Sequence, residues 1–521
     1  MSDIGVATRE PEAWLLRLDP LSRRDLRGRL LATLALLAVS ALPILFLAPL
    51  FDAPFDRDQG GYATIARGWL DGSIPYRDLW DNKAPILFLW YAAGFAWLGE
   101  TVVAPRVMAG LAAALSVPFV WATTRTLFGS REAALAAGVY ALSFGNIYLQ
   151  VTANAEVFML PPLTAGLWAF ASGARSGNLL WFAAAGALTG LAVFTRQSAL
   201  WAFVGYGAWM AVLFLRYPEE RLPLFRAGLA ITAGVVVVTA PFVAYFAAND
   251  ALYELWHAMF EFNLAWAGEF PLWQKLIPPI FQNPVPLVGG LIFWGLAAVG
   301  VWRLWKRGDR YAWLVLAFLV ALELAAQTLG KASPHYSIHL VPGAAIAGGV
   351  GALYLVERWH EGHREMVPWV AAATVVTLAA AVFLYAQPTP ADRFEAQYTF
   401  RDYAEGAVEA PRIAEAVAAM TEPGDYVYEW GRESEIYFLA DRVPASRWMH
   451  NRPYSVDKSM IDDLLADFET TRPALIYYTI EDESLAPQEF RPPEPLAEYV
   501  DEHYEFAGRV EYADLYRLRD G

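Results

Sequence analysis

The chain contains no cysteine, so neither a disulfide framework nor thiolate chemistry is available to it. Histidine is scarce: seven are scattered without HExxH-like spacing, which argues against a zinc hydrolase. Charge is scarce too, at 18% of 521 residues against 56% hydrophobic residues and 21 tryptophans. A water-soluble chain of this size is not so apolar; a multispanning helical membrane protein is. The charge is also uneven. The formal net charge is −15, and the tail from Gln387 onward alone carries about −16, leaving the remainder nearly neutral. An acidic tail on a neutral apolar body argues against nucleic acid as a partner. No internal repeat or low-complexity tract is visible, and the proline-rich stretch 487–495 reads as a surface loop.

What the chain has instead is long apolar runs. A span needs about 20 apolar residues, and the expected spans are 30–50, 103–124, 131–149, 157–173, 179–195, 198–216, 226–248, 283–304, 311–328, 338–357 and 367–386. The run Leu30–Leu50 lacks a small-residue cleavage site and reads as a retained span. Ala84–Leu98 is short for a span and suits a re-entrant or interfacial helix. Basic residues support this threading. Arg23, Arg24, Arg27 and Arg29 precede the first span and place the N-terminal segment 1–29 in the cytoplasm. The next cytoplasmic turns then hold Arg125 and Arg131, Arg175, Arg216 with Arg221 and Arg226, Lys306 with Arg307 and Arg310, and Arg358 with Arg364. Every one is basic, as the positive-inside tendency requires, and counting Ala84–Leu98 as a span would invert them all. About eleven spans are expected.

The opposite face then collects the polar loop 51–102, the turns around Asn154 and Arg196, the aromatic loop 249–282, the segment Gly330–Tyr336, and the tail. The first of these is far denser in charge than the chain around it, with Asp56, Asp58, Asp78, Asp81, Arg67, Arg77 and Lys83. The tail, 390–521, reads as a small α/β domain outside the membrane. Tyr426–Trp430 and Ala474–Thr479 read as short buried strands, Arg412–Met420 and Met460–Phe468 as amphipathic helices, and Tyr504–Leu518 as a hairpin.

Each polar residue has a plain and a chemical reading. Asp56 and Asp58 are either hydrated helix-end carboxylates or a base that takes a proton from a hydroxyl or amine nucleophile. Lys83 either snorkels to the interface or neutralises a phosphate at headgroup depth. Arg196 has the same pair of readings, with Gln197 beside it, and its guanidinium suits bidentate contact with phosphate. Glu156 suits a helix N-terminus as well as a site, and Asn154 suits an N-cap better than a ligand. His335 and Tyr336, near Lys331, are either structural or in contact with a phosphate or sugar. The aromatic stretch Tyr253–Trp266 reads first as an interfacial anchor. Together, a base-like carboxylate and several cations at lipid depth fit displacement of a lipid phosphate by a nucleophile from the outer aqueous space.

Five motifs carry a resemblance: DRDQGGYA at 56–63, WDNKAPI at 80–86, NAEVF at 154–158, TRQSA at 195–199 and PHYSIHLVP at 334–342. In this order they resemble the GT-C glycosyltransferases, closest to the glycosyltransferase 39 or protein-mannosyltransferase-like group that includes aminoarabinose transferases and lipopolysaccharide-core transferases. The resemblance covers most of 30–386. It implies a GT-C-like transmembrane catalytic domain, a polyprenyl-phosphate sugar as donor, and inverting transfer to an unidentified glycan, lipid or protein acceptor of the cell envelope, at the outer face of the cytoplasmic membrane. It maps the catalytic base onto Asp58, with Asp56 second, and a phosphate contact onto Lys83. Where the family often has Asp-Glu, this chain has Asp58-Gln59, and Asn82 precedes Lys83 where a glutamate is usual. A divalent metal is therefore left open. The alternative is a flippase or transporter for a lipid-linked or polar solute, which would place its charges near the bilayer midplane and show repeats. An envelope assembly protein is a third reading.

Overall fold

The computed structural model describes residues 26–145, 153–268, 290–328, 334–363, 401–479 and 491–519, with scattered residues between them. Among these, six helices are long and apolar enough to cross a membrane: Gly28–Leu50, Val103–Leu127, Ala155–Ser176, Gln197–Arg216, Pro218–Ala248 and Tyr336–His360. The other expected spans fall on the shorter helices Ser130–Ser143, Leu179–Val193 and Leu291–Arg307, and on Arg310–Thr328. The expected span 367–386 lies outside the described residues apart from isolated positions. Ala84–Leu98, expected to be too short to cross, is a 14-residue helix from Pro85 to Leu98.

Small residues let these helices approach closely. A Cβ on Gly300 would meet the backbone carbonyl of Ala347 at 1.8 Å, so Leu291–Arg307 and Val341–His360 touch backbone to backbone there. The first helix instead presents Leu30, Leu31, Leu34, Leu37 and Leu45 outward, an apolar surface suited to lipid.

The C-terminal part is a five-stranded mixed sheet: β1 (Tyr426–Trp430), β2 (Val443–Pro444), β3 (Leu475–Thr479), β4 (Tyr504–Val510) and β5 (Ala513–Leu518), in spatial order β2-β1-β3-β5-β4. β1 runs parallel to β2 and β3, whereas β5 pairs antiparallel with β3 and β4. β3 is buried along its whole length, which explains its unbroken apolar and aromatic run. The helices Met460–Thr471 and Glu494–His503 bury Leu464, Phe468, Leu496 and Val500 and keep their acids outside, except Asp467, which is half-buried and accepts from Ser446.

This sheet domain docks on the first polar loop. Arg67 donates to the carbonyl of Tyr437 at 3.2 Å and to Asp441 at 2.8 Å. The Trp80 N–H donates to the carbonyl of Arg447 at 2.9 Å, and the rings of Trp80 and Trp448 lie 5.3 Å apart. Gly60 lies flush against the backbone of the short helix Glu435–Ala440.

Candidate active site

The first polar loop is ordered around the helix Arg57–Leu70, and Asp56 is why it starts there. Asp56 has extended backbone, and its carboxylate accepts from the Gln59 N–H at 2.8 Å and from Gln59 Nε2 at 2.9 Å. That is an N-cap: it satisfies amides that a helix start leaves without partners. The two aspartates therefore separate. Asp56 is buried in a cap, while Asp58 sits in the first turn and is only half-buried.

Asp58 and Tyr62 are four residues apart on this helix and so share a face. The buried Tyr62 phenol is held well above its ordinary pKa by burial first, then by the carboxylates of Asp58, Asp81, Glu156 and Asp56. Those four acids come from three separate stretches of chain. Lys83 reaches the same ring, with Nζ 5.6 Å from its centroid, and bonds the side chain of Asn82 at 3.0 Å. Its own N–H donates to Asp81 at 3.0 Å, and the Asp81 carboxylate lies 3.9 Å from Nζ.

Tyr76 fixes the segment that carries Lys83. It is fully buried, its φ of +71° is left-handed, and its hydroxyl donates to the carbonyl of Lys83 at 2.7 Å. A bulky residue keeps such a backbone only where its surroundings over-determine it. Asn82 ties the segment to two further elements. Gln197 Nε2 donates to the Asn82 carbonyl at 2.8 Å, and Asn263 bonds the Asn82 side chain at 3.1 Å. The Ile86 N–H donates to the Phe194 carbonyl at 2.9 Å, joining the start of Pro85–Leu98 to the turn that bears Arg196.

Arg196 pairs with Glu156 at 2.8 Å, and both side chains are more than nine-tenths buried. The same guanidinium lies 5.2 Å from the Tyr336 ring centroid, and its Nε approaches Ser198 Oγ at 3.1 Å and His339 Nε2 at 3.4 Å. His339 also meets Ser198 Oγ at 2.6 Å and, through Nδ1, the Tyr336 carbonyl at 2.8 Å. Gln197, next in the chain to Arg196, holds the Asn82 carbonyl, which joins this group to the Lys83 side of the site.

The sequence-derived residues thus divide. Asp58, Asp56, Lys83 and Glu156 gather about Tyr62, Gln197 holds the residue before Lys83, and Arg196 and Tyr336 join through Glu156 and the cation–ring contact. Asn154 stands at the N-cap position of Ala155–Phe158 but makes no capping bond with its side chain. The His335 side chain and Lys331 lie outside the described residues. Sequence reasoning missed His339, Tyr62, Tyr76 and Asn263. His339 stands in the same PHYSIHLVP motif four residues after His335, and that spacing was its signal. Among the described residues no group of three or more His, Cys, Asp or Glu is placed to hold a metal ion. A polar cleft of about 610 Å³ lies elsewhere, between the first loop and the sheet domain. Four of its lining charges pair, Arg77 with Asp78 and Arg447 with Asp463.

Residues 83–245 match the family described as dolichyl-phosphate-mannose-protein mannosyltransferase. An undecaprenyl phosphate-alpha-4-amino-4-deoxy-L-arabinose arabinosyl transferase of Pseudomonas aeruginosa is 26% identical over 330 residues, and one of Pseudomonas paraeruginosa is 25% identical over the same length. Each match takes in 60% of this chain and 58% of the relative, so the likeness spans little more than half the length of those curated proteins. Among solved structures, ArnT from Cupriavidus metallidurans bound to undecaprenyl phosphate superposes with a TM-score of 0.59 at 15% identity, over 93% of this chain and 98% of that one. The archaeal oligosaccharyltransferase AglB from Archaeoglobus fulgidus, in complex with an inhibitory peptide and a dolichol-phosphate, gives 0.53 at 13% identity over 94% and 74%. The chain is a multi-pass membrane protein, and its fold is that of the GT-C glycosyltransferases.

Proposed function

We propose that this protein is an inverting membrane glycosyltransferase that moves a sugar from a polyprenyl-phosphate carrier to an envelope acceptor at the outer face of the cytoplasmic membrane. The observation that carries the reading is the placing of Asp58 and Lys83 about Tyr62, with Gln197 linking Asn82 to the turn of the Arg196–Glu156 pair, in a fold shared with a polyprenyl-phosphate-binding enzyme.

In this reading the Asp58 carboxylate is the general base. It takes the proton of the acceptor O–H or N–H as that atom attacks the anomeric carbon. The bond from that carbon to the phosphate oxygen breaks, and the polyprenyl phosphate leaves with the electron pair. Attack opposite the leaving group inverts the centre. Lys83 meets the negative charge that develops on the leaving phosphate, in a site already oriented by Tyr76 and Asn82. Arg196 acts through Tyr336 and Gln197, holding the far wall; its charge is balanced by Glu156. Asp56 serves the helix as its cap. The acidic sheet domain faces the outer aqueous space, on the side where the acceptor arrives.

Mass spectrometry of envelope lipids and glycans, with and without the gene, tests this. One polyprenyl-phosphate sugar accumulates and one glycan modification disappears when the gene is removed. An unchanged lipid-linked sugar pool together with an unchanged glycan profile contradicts it.

A further inference from the structure

The Lys83 side of the site has a neighbour from the far end of the chain. Asp81 uses both carboxylate oxygens. Its Oδ1 accepts the Lys83 N–H at 3.0 Å and lies 3.9 Å from Lys83 Nζ, while Oδ2 lies 3.9 Å from Nε2 of His450 in the sheet domain. None of the three side chains is more than 15% exposed.

His450 is held in this place. The segment that carries it is fastened on both sides: the Arg447 carbonyl accepts the Trp80 N–H at 2.9 Å, and the Asn451 N–H donates to the Gly431 carbonyl at 2.9 Å, just past the end of β1. Trp80 precedes Asp81 in the chain, and its ring meets His450 edge-on at 6.1 Å, Trp448 at 5.3 Å and Phe262 at 4.8 Å. A Cβ on Gly61 would touch Ser434 of the sheet domain at 3.5 Å and Asp81 at 3.9 Å. Asp81 therefore stands at the seam between the first loop and the sheet domain.

The two ring nitrogens of His450 differ. Nδ1 is buried and has no hydrogen-bond partner among the described residues. A proton there would be a buried donor without an acceptor, so the ring carries its proton on Nε2, facing Asp81. The consequence falls on Lys83. Its ammonium is drawn to Asp81, to the Asn82 side chain at 3.0 Å and, in the proposed reaction, to the phosphate of the donor. A carboxylate occupied by a second donor competes less for that ammonium, because part of its charge is already satisfied.

We infer that His450 of the sheet domain is a positioning residue for the donor phosphate: by holding Asp81 it keeps the Lys83 ammonium available, so that the site reaches full strength only when the sheet domain is docked. This rests on the proposed function and adds to it a part for the sheet domain that is exerted through Asp81, without contact to the substrate.

Binding of undecaprenyl phosphate to the purified full-length protein in detergent tests the inference. His450→Ala raises the dissociation constant about three- to tenfold, the size of one hydrogen bond. His450→Gln, whose terminal N–H reaches the same carboxylate, recovers most of the loss, and His450→Asn, which ends short of it, does not. In an Asp81→Asn background His450→Ala has no further effect, as two residues on one path require. An unchanged dissociation constant in His450→Ala overturns the inference. So does a full loss from His450→Ala when Asp81→Asn is already present, because the effect then bypasses Asp81. If His450→Gln is as weak as His450→Ala and both melt earlier, the residue serves only the docking of the sheet domain, and the inference fails. Lys83→Ala separates this failure from that of the broader reading. If Lys83→Ala weakens binding and His450→Ala does not, only the inference is lost. If neither does, the phosphate site of the proposed function is lost with it.

Discussion

Arg196 and Glu156 form an ion pair at 2.8 Å with both side chains more than nine-tenths buried, and the two residues come from different membrane-side turns. Removing one partner leaves the other as an uncompensated buried charge. Arg196→Met or Glu156→Leu alone should cost about 3–5 kcal/mol, and the double variant clearly less than the sum. Thermal melting of the four proteins in detergent measures this, and additive losses would show that the pair is not coupled.

Gly60 is required by the close approach of two backbones. A Cβ there would lie 2.1 Å from the Cα of Glu435, and neither backbone can yield without shifting the docked sheet domain. Gly60→Ala should destabilise by about 1–3 kcal/mol or more, as overpacking does. Gly207→Ala, where nothing lies within 4 Å, is the control and should be neutral or slightly stabilising. Protease sensitivity of the sheet domain reports the difference; equal resistance of the two variants would contradict the docking.

Tyr76→Phe removes only the hydroxyl that bonds the Lys83 carbonyl. Stability should fall by about 1 kcal/mol, and the KM for the lipid-linked donor should rise while that for the acceptor stays the same. Steady-state kinetics with each substrate varied in turn distinguishes these effects.

Glu429 lies inside the sheet domain, where burial first, and Glu433 after it, raise its pKa to about 8 against the hydrogen bond from Thr479. A carboxyl raised in the folded state binds a proton that the unfolded chain has already released. Stability should therefore decline as pH rises from about 4.5 towards about 8, with a slope of at most about 1.4 kcal/mol per pH unit from this group. Glu429→Gln should flatten the decline in a series of melts across that range.

Much of this was legible from residue order alone. The apolar runs announced the helices, and strands β1 and β3, the helix from Met460 and the terminal hairpin lie where alternation and turn residues placed them. Asp58, Lys83, Arg196 and Tyr336 stood out because charge or polarity at the edge of an apolar span is costly unless it is used. What stayed hidden depends on tertiary contact. Nothing in the sequence says that Glu156 neutralises Arg196 and does not wait for a ligand. Nothing separates Asp56 from Asp58 until the helix start is located and one of them becomes its cap. Asn263 looks like an ordinary polar residue in its local sequence; only packing brings it against Asn82. Tyr76 required a left-handed backbone at a tyrosine, which propensity argues against.

The proposed transfer depends on Asp58 as the base that activates the acceptor. The direct test is the rate of sugar transfer by Asp58→Asn in reconstituted membranes, with undecaprenyl phosphate binding measured on the same protein. Transfer should fall about 10²–10⁴-fold, the range for loss of a general base, while lipid-phosphate binding stays near wild type and Asp56→Asn loses stability in preference to rate. Wild-type transfer by Asp58→Asn would contradict the account.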